Sequence, residues 1–82
     1  MYTVYVLYSV DHNKIYIGYS GNVEARLLSH NVLGSKGWTI KFRPWTVVHT
    51  EEFKTKAEAL RREQALKTAS GRAWIWSNVV KR

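Results

Sequence analysis

The sequence predicts an α+β domain in which helices pack on a small antiparallel sheet, in the order β-β-α-β-α-α. Two segments rich in β-branched and aromatic residues, 2–9 and 15–20, flank the turn-forming residues 11–14 and predict a hairpin. A third segment of this kind, Trp45–Phe53, predicts another strand. Candidate helix-capping residues, Asn22 and Thr55, precede the segments that are expected to form helices. The chain has the length of one small domain, so we expect a single domain over residues 1–82.

The predicted hairpin places two tyrosines on one face of the sheet. A four-residue loop at 11–14 puts Tyr5 opposite Ser20. Because directly opposed side chains project on the same face, Tyr5 and Tyr16 then share one face. Gly18 lies inside the second strand, where a glycine often marks the close approach of another group. The other face takes the side chains of Val4, Val6, Tyr8, Ile15, Ile17 and Tyr19.

Three helices are expected after the hairpin. Asn22 is a candidate N-cap for a helix over residues 22–32. Thr55 opens a capping-box pattern that starts the second helix. Ser70-Gly71 is expected to end that helix. Residues 72–80 then form a short last helix that turns three apolar side chains toward the core, namely Trp74, Ile75 and Val79.

The composition limits the function. A net charge of +7 favours a polyanionic partner, although a basic surface that binds nothing in particular remains the alternative. The chain has no cysteine, which excludes a disulfide and a thiolate zinc site, and its three histidines have no spacing typical of zinc ligands. No apolar segment is long enough to span a membrane and no signal peptide opens the chain, so we expect a cytoplasmic protein.

Polar residues on predicted core-facing surfaces are the candidates for chemistry. Glu63 lies in the middle of the apolar stripe of the second helix, where a carboxylate needs a salt bridge, for which Arg26 is the obvious partner, or a metal. Arg26 and His30 are four residues apart and share one face of the first helix. Phosphodiester hydrolysis requires a cation, a group that activates water and donors to the phosphate oxygens. The carboxylate of Glu63, the side chains of Arg26 and His30, and the two tyrosine hydroxyls would together supply this set. Each residue alone also fits a structural role.

A basic segment and two helical residues predict a nucleic-acid surface. Basic residues with an aromatic residue among them suit a groove that follows a phosphate backbone and can stack a base. Packing of the tryptophan under the loop and solvated basic side chains are the alternatives. The predicted contact residues are Lys36, Trp38, Lys41, Arg43, Lys67 and Arg72.

The ordered set Tyr5, Tyr16, Arg26, His30 and Glu63 resembles the GIY-YIG nuclease superfamily. The second motif of that superfamily is intact as Tyr16-Ile17-Gly18, whereas the first motif, Thr3-Val4-Tyr5, keeps only its tyrosine. The steps from Tyr5 to Tyr16, to Arg26 and to His30 match the superfamily spacing. Residues 30–39, 43–48 and 53–67 also resemble the short, stand-alone bacterial branch of the superfamily, which includes many uncharacterised proteins.

The resemblance implies a three-stranded antiparallel sheet flanked by helices and one divalent cation, Mg²⁺ or Mn²⁺, on Glu63. It implies that Tyr16 is the general base, that Tyr5 orients water or phosphate, and that Arg26 stabilises the transition state. His30 would contact the phosphate or relay a proton. The implied activity is that of an endonuclease that leaves 5′-phosphate and 3′-hydroxyl ends, with DNA as the expected substrate and DNA repair as the expected setting. A non-catalytic nucleic-acid-binding module, or a nuclease subunit that needs a protein partner for targeting, are the alternatives.

Overall fold

The computed structural model describes residues 1–33 and 37–81. The predicted contact residue Lys36 lies outside this part of the chain. Within it, three antiparallel strands form a sheet in the order β2-β1-β3, and helices follow in the predicted sequence. The expected α+β class and element order are confirmed. The elements are β1 (Tyr2–Ser9), β2 (Lys14–Ser20), α1 (Val23–Leu28), β3 (Thr46–Phe53), α2 (Lys56–Leu66) and α3 (Ala69–Trp74).

Three shorter helical segments complete the described chain. The first helix continues beyond α1 as a π-helical segment, Ser29–Leu33, and α3 continues in the same way over Ile75–Val80. The basic segment predicted as a loop contains a 3₁₀-helix, Trp38–Phe42. Across residues 1–33 and 37–81, no helix has both the length and the apolar character needed to cross a membrane.

The hairpin register differs from the predicted one, although both tyrosines keep their face. Tyr5 lies opposite Gly18 rather than Ser20. The turn comprises residues 10–13 because Asn13 adopts a left-handed conformation (φ 53°), and its side-chain oxygen accepts a hydrogen bond from the Tyr8 hydroxyl at 3.0 Å. Each partner therefore moves by two residues along β2. Side chains alternate along a strand with period two, so the predicted faces are retained.

The sheet separates two hydrophobic clusters. One face of β1 and β2 packs against α2 and the segment after α3, and this cluster includes the fully buried Val4, Val6, Ala59, Leu66 and Ile75. The opposite face carries Tyr5 and Leu7 with Trp45, and partly buried residues of α1 cover it, namely Val23 and Leu27. Full burial of one such aliphatic or aromatic side chain stabilises the fold by about 1.5–3 kcal/mol.

Both predicted N-caps of the long helices are confirmed. The Asn22 side chain accepts a hydrogen bond from the main-chain N–H of Ala25 at 3.1 Å. The Thr55 hydroxyl oxygen accepts from the N–H of Glu58 at 3.2 Å, and the hydroxyl donates to the Glu58 carboxylate at 2.9 Å. These bonds satisfy main-chain donors that have no partner in the first turn of a helix.

The break between the last two helices lies earlier than predicted. It falls after Leu66, and Thr68 caps α3 by accepting a hydrogen bond from the N–H of Gly71 at 3.1 Å. Ser70-Gly71 therefore begins a helix instead of ending one. Gly71 is needed there because a β-carbon would collide with the main chain of Ala65 and Leu66. This close contact lets α3 cross the end of α2.

The core residues of the last helix are also partly different from those predicted. Ile75 is fully buried and Val79 packs against the core, as expected. Trp74 is 39% exposed and lies against His49 and Arg62 at the surface. Trp76 takes the inward position, with its ring centroid 6.0 Å from that of Tyr8. The expectation for Trp74 was wrong because its ring packs on side chains of β3 and α2 at the surface rather than in the core.

Candidate active site

The five predicted site residues approach one edge of the sheet from both of its faces. Tyr5 and Tyr16 project from β1 and β2 on the face that α1 covers, with their ring centroids 6.3 Å apart. Arg26 comes from α1 and His30 from its π-helical continuation. Glu63 belongs to α2, which packs on the opposite face. Because β2 is an edge strand, groups from both faces can meet beside it.

Gly18 makes the central packing of the site possible. Tyr5 is only 1% exposed, and its ring lies directly over the main chain of Gly18 in the neighbouring strand. A β-carbon at position 18 would lie 2.6 Å from the Tyr5 hydroxyl oxygen. The close approach expected at this glycine is therefore confirmed, and the group that approaches is a predicted site residue.

His30 connects the tyrosine pair to the 3₁₀-helix. Its Nε2 lies 3.3 Å from the Tyr5 hydroxyl, and its Nδ1 lies 3.0 Å from the Thr39 hydroxyl. The Tyr16 ring meets the His30 ring edge to face, with the centroids 4.6 Å apart. Burial lowers the pKa of His30 below its ordinary value, and the positive charges of Arg26 and Arg43 lower it further. The ring is therefore neutral at neutral pH.

Tyr5 and Arg26 influence each other electrostatically. Burial raises the pKa of Tyr5 above its ordinary value, while hydrogen bonding with the Arg26 side chain acts in the opposite direction. The same interaction raises the pKa of Arg26. At neutral pH the site thus contains a protonated Tyr5 beside a guanidinium that stays positively charged.

Two open clefts meet at Tyr16 and Arg26. The first, which we call the edge cleft, has a volume of about 320 Å³ and is lined by Tyr16, Gly18, Tyr19, Ser20, Arg26 and Glu63. The second, the helix cleft, has a volume of about 350 Å³ and lies between α1 and the 3₁₀-helix, with His30, Trp38 and Thr39 among its lining residues. Tyr16 is half-buried and reaches both clefts, whereas Tyr5 lies beneath them.

Glu63 is a buried carboxylate at the wall of the edge cleft. It is 9% exposed, and its ion pair within the described chain is with Lys67, at 3.5 Å from Nζ to Oε1, rather than with Arg26. The described residues contain no group of three or more histidine and carboxylate side chains that could enclose a metal. One carboxylate next to open space suits a hard cation that keeps several waters, as Mg²⁺ does.

Comparison with known proteins decides the family. A family model for the GIY-YIG catalytic domain matches residues 1–75. The chain belongs to the GIY-YIG family. The family is one of nuclease-type domains that cleave nucleic acid and generally use divalent metals.

Short proteins of bacteria and archaea are similar to this GIY-YIG chain. A UPF0213 protein of Staphylococcus haemolyticus is 43% identical over 67 residues, which cover 82% of this chain and 80% of the relative. A UPF0213 protein of Halobacterium salinarum is 39% identical over 70 residues, or 85% and 90% of the two chains. One of Natronomonas pharaonis is 39% identical over 67 residues, or 82% and 78%. The resemblance to the short, stand-alone branch is thus confirmed.

Three of the predicted nucleic-acid contacts of the GIY-YIG domain lie in one groove. This basic groove, about 280 Å³ in volume, follows the β2 edge and is lined by Ile15, Tyr16, Ile17, Trp38, Lys67 and Arg72. Trp38 is 48% exposed, and its ring lies against Phe42 and Trp45. Because Tyr16 also lines the groove, the basic surface is continuous with the edge cleft and the helix cleft.

Two other predicted contacts are placed differently. Lys41 is exposed but lines none of the three clefts. The Arg43 guanidinium turns inward, where Nε donates to the carbonyl oxygen of His30 at 2.6 Å and a terminal nitrogen donates to that of Ser29 at 3.3 Å. Sequence reasoning missed this role because it depends on how the 3₁₀-helix folds back on the π-helical segment Ser29–Leu33.

Thr39 is a further residue of the site that sequence reasoning missed. Its hydroxyl contacts His30, and its carbonyl oxygen accepts a hydrogen bond from the Trp45 indole at 2.8 Å. The signal in the sequence was small, since a threonine after a tryptophan in a basic segment is typical of an ordinary loop.

Proposed function

We propose that the protein is a metal-dependent endonuclease that hydrolyses phosphodiester bonds in nucleic acid, with DNA as its substrate. Tyr16 activates the attacking water, and one divalent cation, Mg²⁺ or Mn²⁺, binds to Glu63. The observation that carries this proposal is the edge cleft, which places Tyr16, Arg26 and Glu63 on the wall of one open volume.

Tyr16 suits the role of general base because it is accessible. It lines the edge cleft, the helix cleft and the basic groove, so a water beside a bound phosphate can reach its hydroxyl. Tyr5 is too deeply buried to meet the substrate directly. Its hydroxyl instead contacts Nε2 of His30 and interacts with the Arg26 side chain beneath the two clefts.

Arg26 supplies positive charge where negative charge develops. It is exposed, it lines both the edge cleft and the helix cleft, and its guanidinium remains charged throughout the physiological pH range. A guanidinium can donate two parallel hydrogen bonds to the non-bridging oxygens of a phosphate. His30, neutral at neutral pH, lines the helix cleft and supports this arrangement through its contact with the Tyr5 hydroxyl.

Glu63 is the residue that fits a divalent cation. Its carboxylate is 9% exposed and is accompanied in the edge cleft by the hydroxyl-bearing Tyr19 and Ser20, which leaves an oxygen-rich wall and room for water. A bound cation would neutralise charge on the phosphate and stabilise the leaving oxygen. Lys67 balances the carboxylate charge in the absence of metal.

The basic groove extends the site to a longer stretch of substrate. Lys67 and Arg72 can contact phosphates, while the exposed Trp38 ring can stack on a base. Lys41 adds a positive charge at the surface near the same 3₁₀-helix. The inward-facing Arg43 is assigned to structure rather than to the substrate.

Cleavage assays with a matched pair of variants test the proposal. Single-stranded, flapped and branched DNA are incubated with wild type, Glu63→Gln or Glu52→Gln, with and without Mg²⁺. Glu63→Gln should lower kcat by about 10²-fold or more, the scale seen when a preorganised electrostatic group is lost. Glu52 is exposed on β3, so Glu52→Gln should cleave as wild type does. Cleavage that survives in Glu63→Gln or in chelator would refute the proposal. Salt-dependent binding without cleavage would identify a non-catalytic binding module.

A further inference from the structure

Both ring nitrogens of His30 have a hydroxyl partner. The Tyr5 oxygen lies 3.3 Å from Nε2, and the Thr39 oxygen lies 3.0 Å from Nδ1. The ring is buried, so these hydroxyls take the place of water. Because a neutral imidazole has one donor and one acceptor nitrogen, the direction of one hydrogen bond determines the other.

Arg26 determines the direction of the bond between Tyr5 and His30. The positive charge of Arg26 acts on the Tyr5 hydroxyl, which lies 3.3 Å from Nε2 of His30. A guanidinium has donors but no acceptor, so the Tyr5 oxygen turns its lone pairs toward that charge. This orientation directs the Tyr5 proton away from Arg26 and toward Nε2 of His30, which lies within hydrogen-bonding distance. Nδ1 must then carry the ring proton, which it donates to the Thr39 oxygen.

Main-chain contacts hold His30 and Thr39 at a fixed separation. Arg43 donates to the His30 carbonyl oxygen at 2.6 Å, and the Trp45 indole donates to the Thr39 carbonyl oxygen at 2.8 Å. The Asn31 side chain also bonds the main chain of Trp45 in both directions, at 2.6 Å and 2.9 Å. The 3₁₀-helix is thereby attached to the helical segment that carries His30.

We propose that Thr39 is a positioning residue that holds His30 in its Nδ1–H tautomer, with Nε2 directed at Tyr5. In this arrangement Tyr5 keeps its oxygen lone pairs toward Arg26, which fixes the guanidinium at the boundary of the edge cleft and the helix cleft. The kinetic effects expected for Thr39 variants rest on the proposed nuclease function. The tautomer of His30 does not depend on it.

The ring nitrogen chemical shifts of ¹⁵N-labelled protein test the tautomer directly at about pH 8, above the ordinary pKa of histidine. Wild type should show His30 protonated at Nδ1, with the signal assigned by its loss in His30→Gln. Thr39→Val removes the hydroxyl at nearly constant volume and should reduce the Nδ1–H population, whereas Thr39→Ser should restore it. His12 and His49 are internal references whose shifts should not change. The Trp45 indole N–H reports whether the local fold is intact, because it bonds the main chain of Thr39.

Kinetics provide the second readout. Thr39→Val should lower kcat about tenfold with KM changed less than about twofold, the scale of one lost hydrogen bond, and Thr39→Ser should recover most of the rate. An Nε2–H tautomer in wild type, or an unchanged tautomer in Thr39→Val, would overturn the assignment. If wild type does not cleave at all, the proposed function fails, while the ring shifts still support or overturn the role of Thr39.

Discussion

Replacement of Gly18 by alanine tests the packing on which the whole site depends. The added β-carbon would lie 2.6 Å from the Tyr5 hydroxyl oxygen and 2.7 Å from Cζ, whereas ordinary van der Waals contact begins at 3.4 Å. Tyr5 has no free space into which it can move, since it is 1% exposed and its ring is flanked by those of Tyr16 and His30. The substitution must therefore displace either the ring or strand β2.

Two opposing effects set the magnitude for Gly18→Ala. Alanine in place of glycine within a strand favours folding by about 0.5–1 kcal/mol, because it loses less conformational freedom. Overpacking of a well-filled site costs about 1–3 kcal/mol. The collision dominates, so we expect a net loss of about 1–2 kcal/mol in the free energy of unfolding. In a domain of this size such a loss lowers Tm by on the order of 10 °C.

Urea and thermal unfolding of a matched pair measure this effect. Gly21→Ala is the control, since a β-carbon there meets no atom within 4 Å and its φ lies outside the left-handed region. It should be neutral or slightly stabilising. In the double variant with Tyr5→Phe, part of the loss should be recovered because the hydroxyl in the collision is gone. Equal stability of Gly18→Ala and Gly21→Ala would show that the Tyr5 ring does not lie over β2.

Two further predictions concern charge. Because its surroundings lower the pKa of His30 below 6.5, the unfolded chain binds more protons in the window between the folded pKa and 6.5. The free energy of unfolding should therefore fall as the pH falls through this window and stay constant with respect to His30 above it. Urea unfolding as a function of pH should show that His30→Gln lacks this dependence, and an identical slope in the variant would contradict the assigned environment. Separately, Lys67→Ala should reduce the salt dependence of nucleic-acid binding by about one counterion, while the exposed Arg61→Ala should reduce it less. Fluorescence anisotropy over a salt series measures the slopes, and a larger change for Arg61 would place the substrate elsewhere.

The sequence determined the face of the tyrosine pair better than their register. Side chains alternate along a strand with period two, so every register in which the numbers of paired residues add to an odd number leaves Tyr5 and Tyr16 on one face. The register itself depends on Asn13, whose left-handed conformation closes the turn one residue earlier than expected. Whether an asparagine adopts that conformation depends on its tertiary contacts, here with Tyr8.

The sequence predicted that Glu63 is a buried carboxylate, but it did not predict its ion-pair partner. A carboxylate within an apolar helical stripe is unusual whatever surrounds it, and burial confirms the expectation. Arg26 was the expected partner in a salt bridge, yet it interacts with Tyr5 on the other side of the sheet, and the neighbouring Lys67 pairs with Glu63. Distances across an edge strand cannot be inferred from residue spacing along two separate helices.

The roles of Thr39 and Arg43 were beyond sequence reasoning for a related reason. Both depend on the position of the 3₁₀-helix, because Thr39 in that helix and Arg43 just after it bond to residues of the π-helical segment Ser29–Leu33. A basic segment with one tryptophan gives the same pattern whether its arginine faces a phosphate or a carbonyl oxygen. Only the folded position of the segment separates these two uses of Arg43.

The placement of the site across an edge strand has a consequence for the newly made chain. The hairpin can form its tyrosine pair from local contacts alone, but Glu63 reaches the edge cleft only after α2 has docked on the opposite face. In the proposed enzyme, a partly synthesised or partly unfolded chain therefore lacks the carboxylate while its aromatic cluster is already present. Such a chain also lacks Lys67 and Arg72 in the basic groove, so the binding surface and the proposed hydrolytic site are completed together when α2 and α3 pack on the sheet.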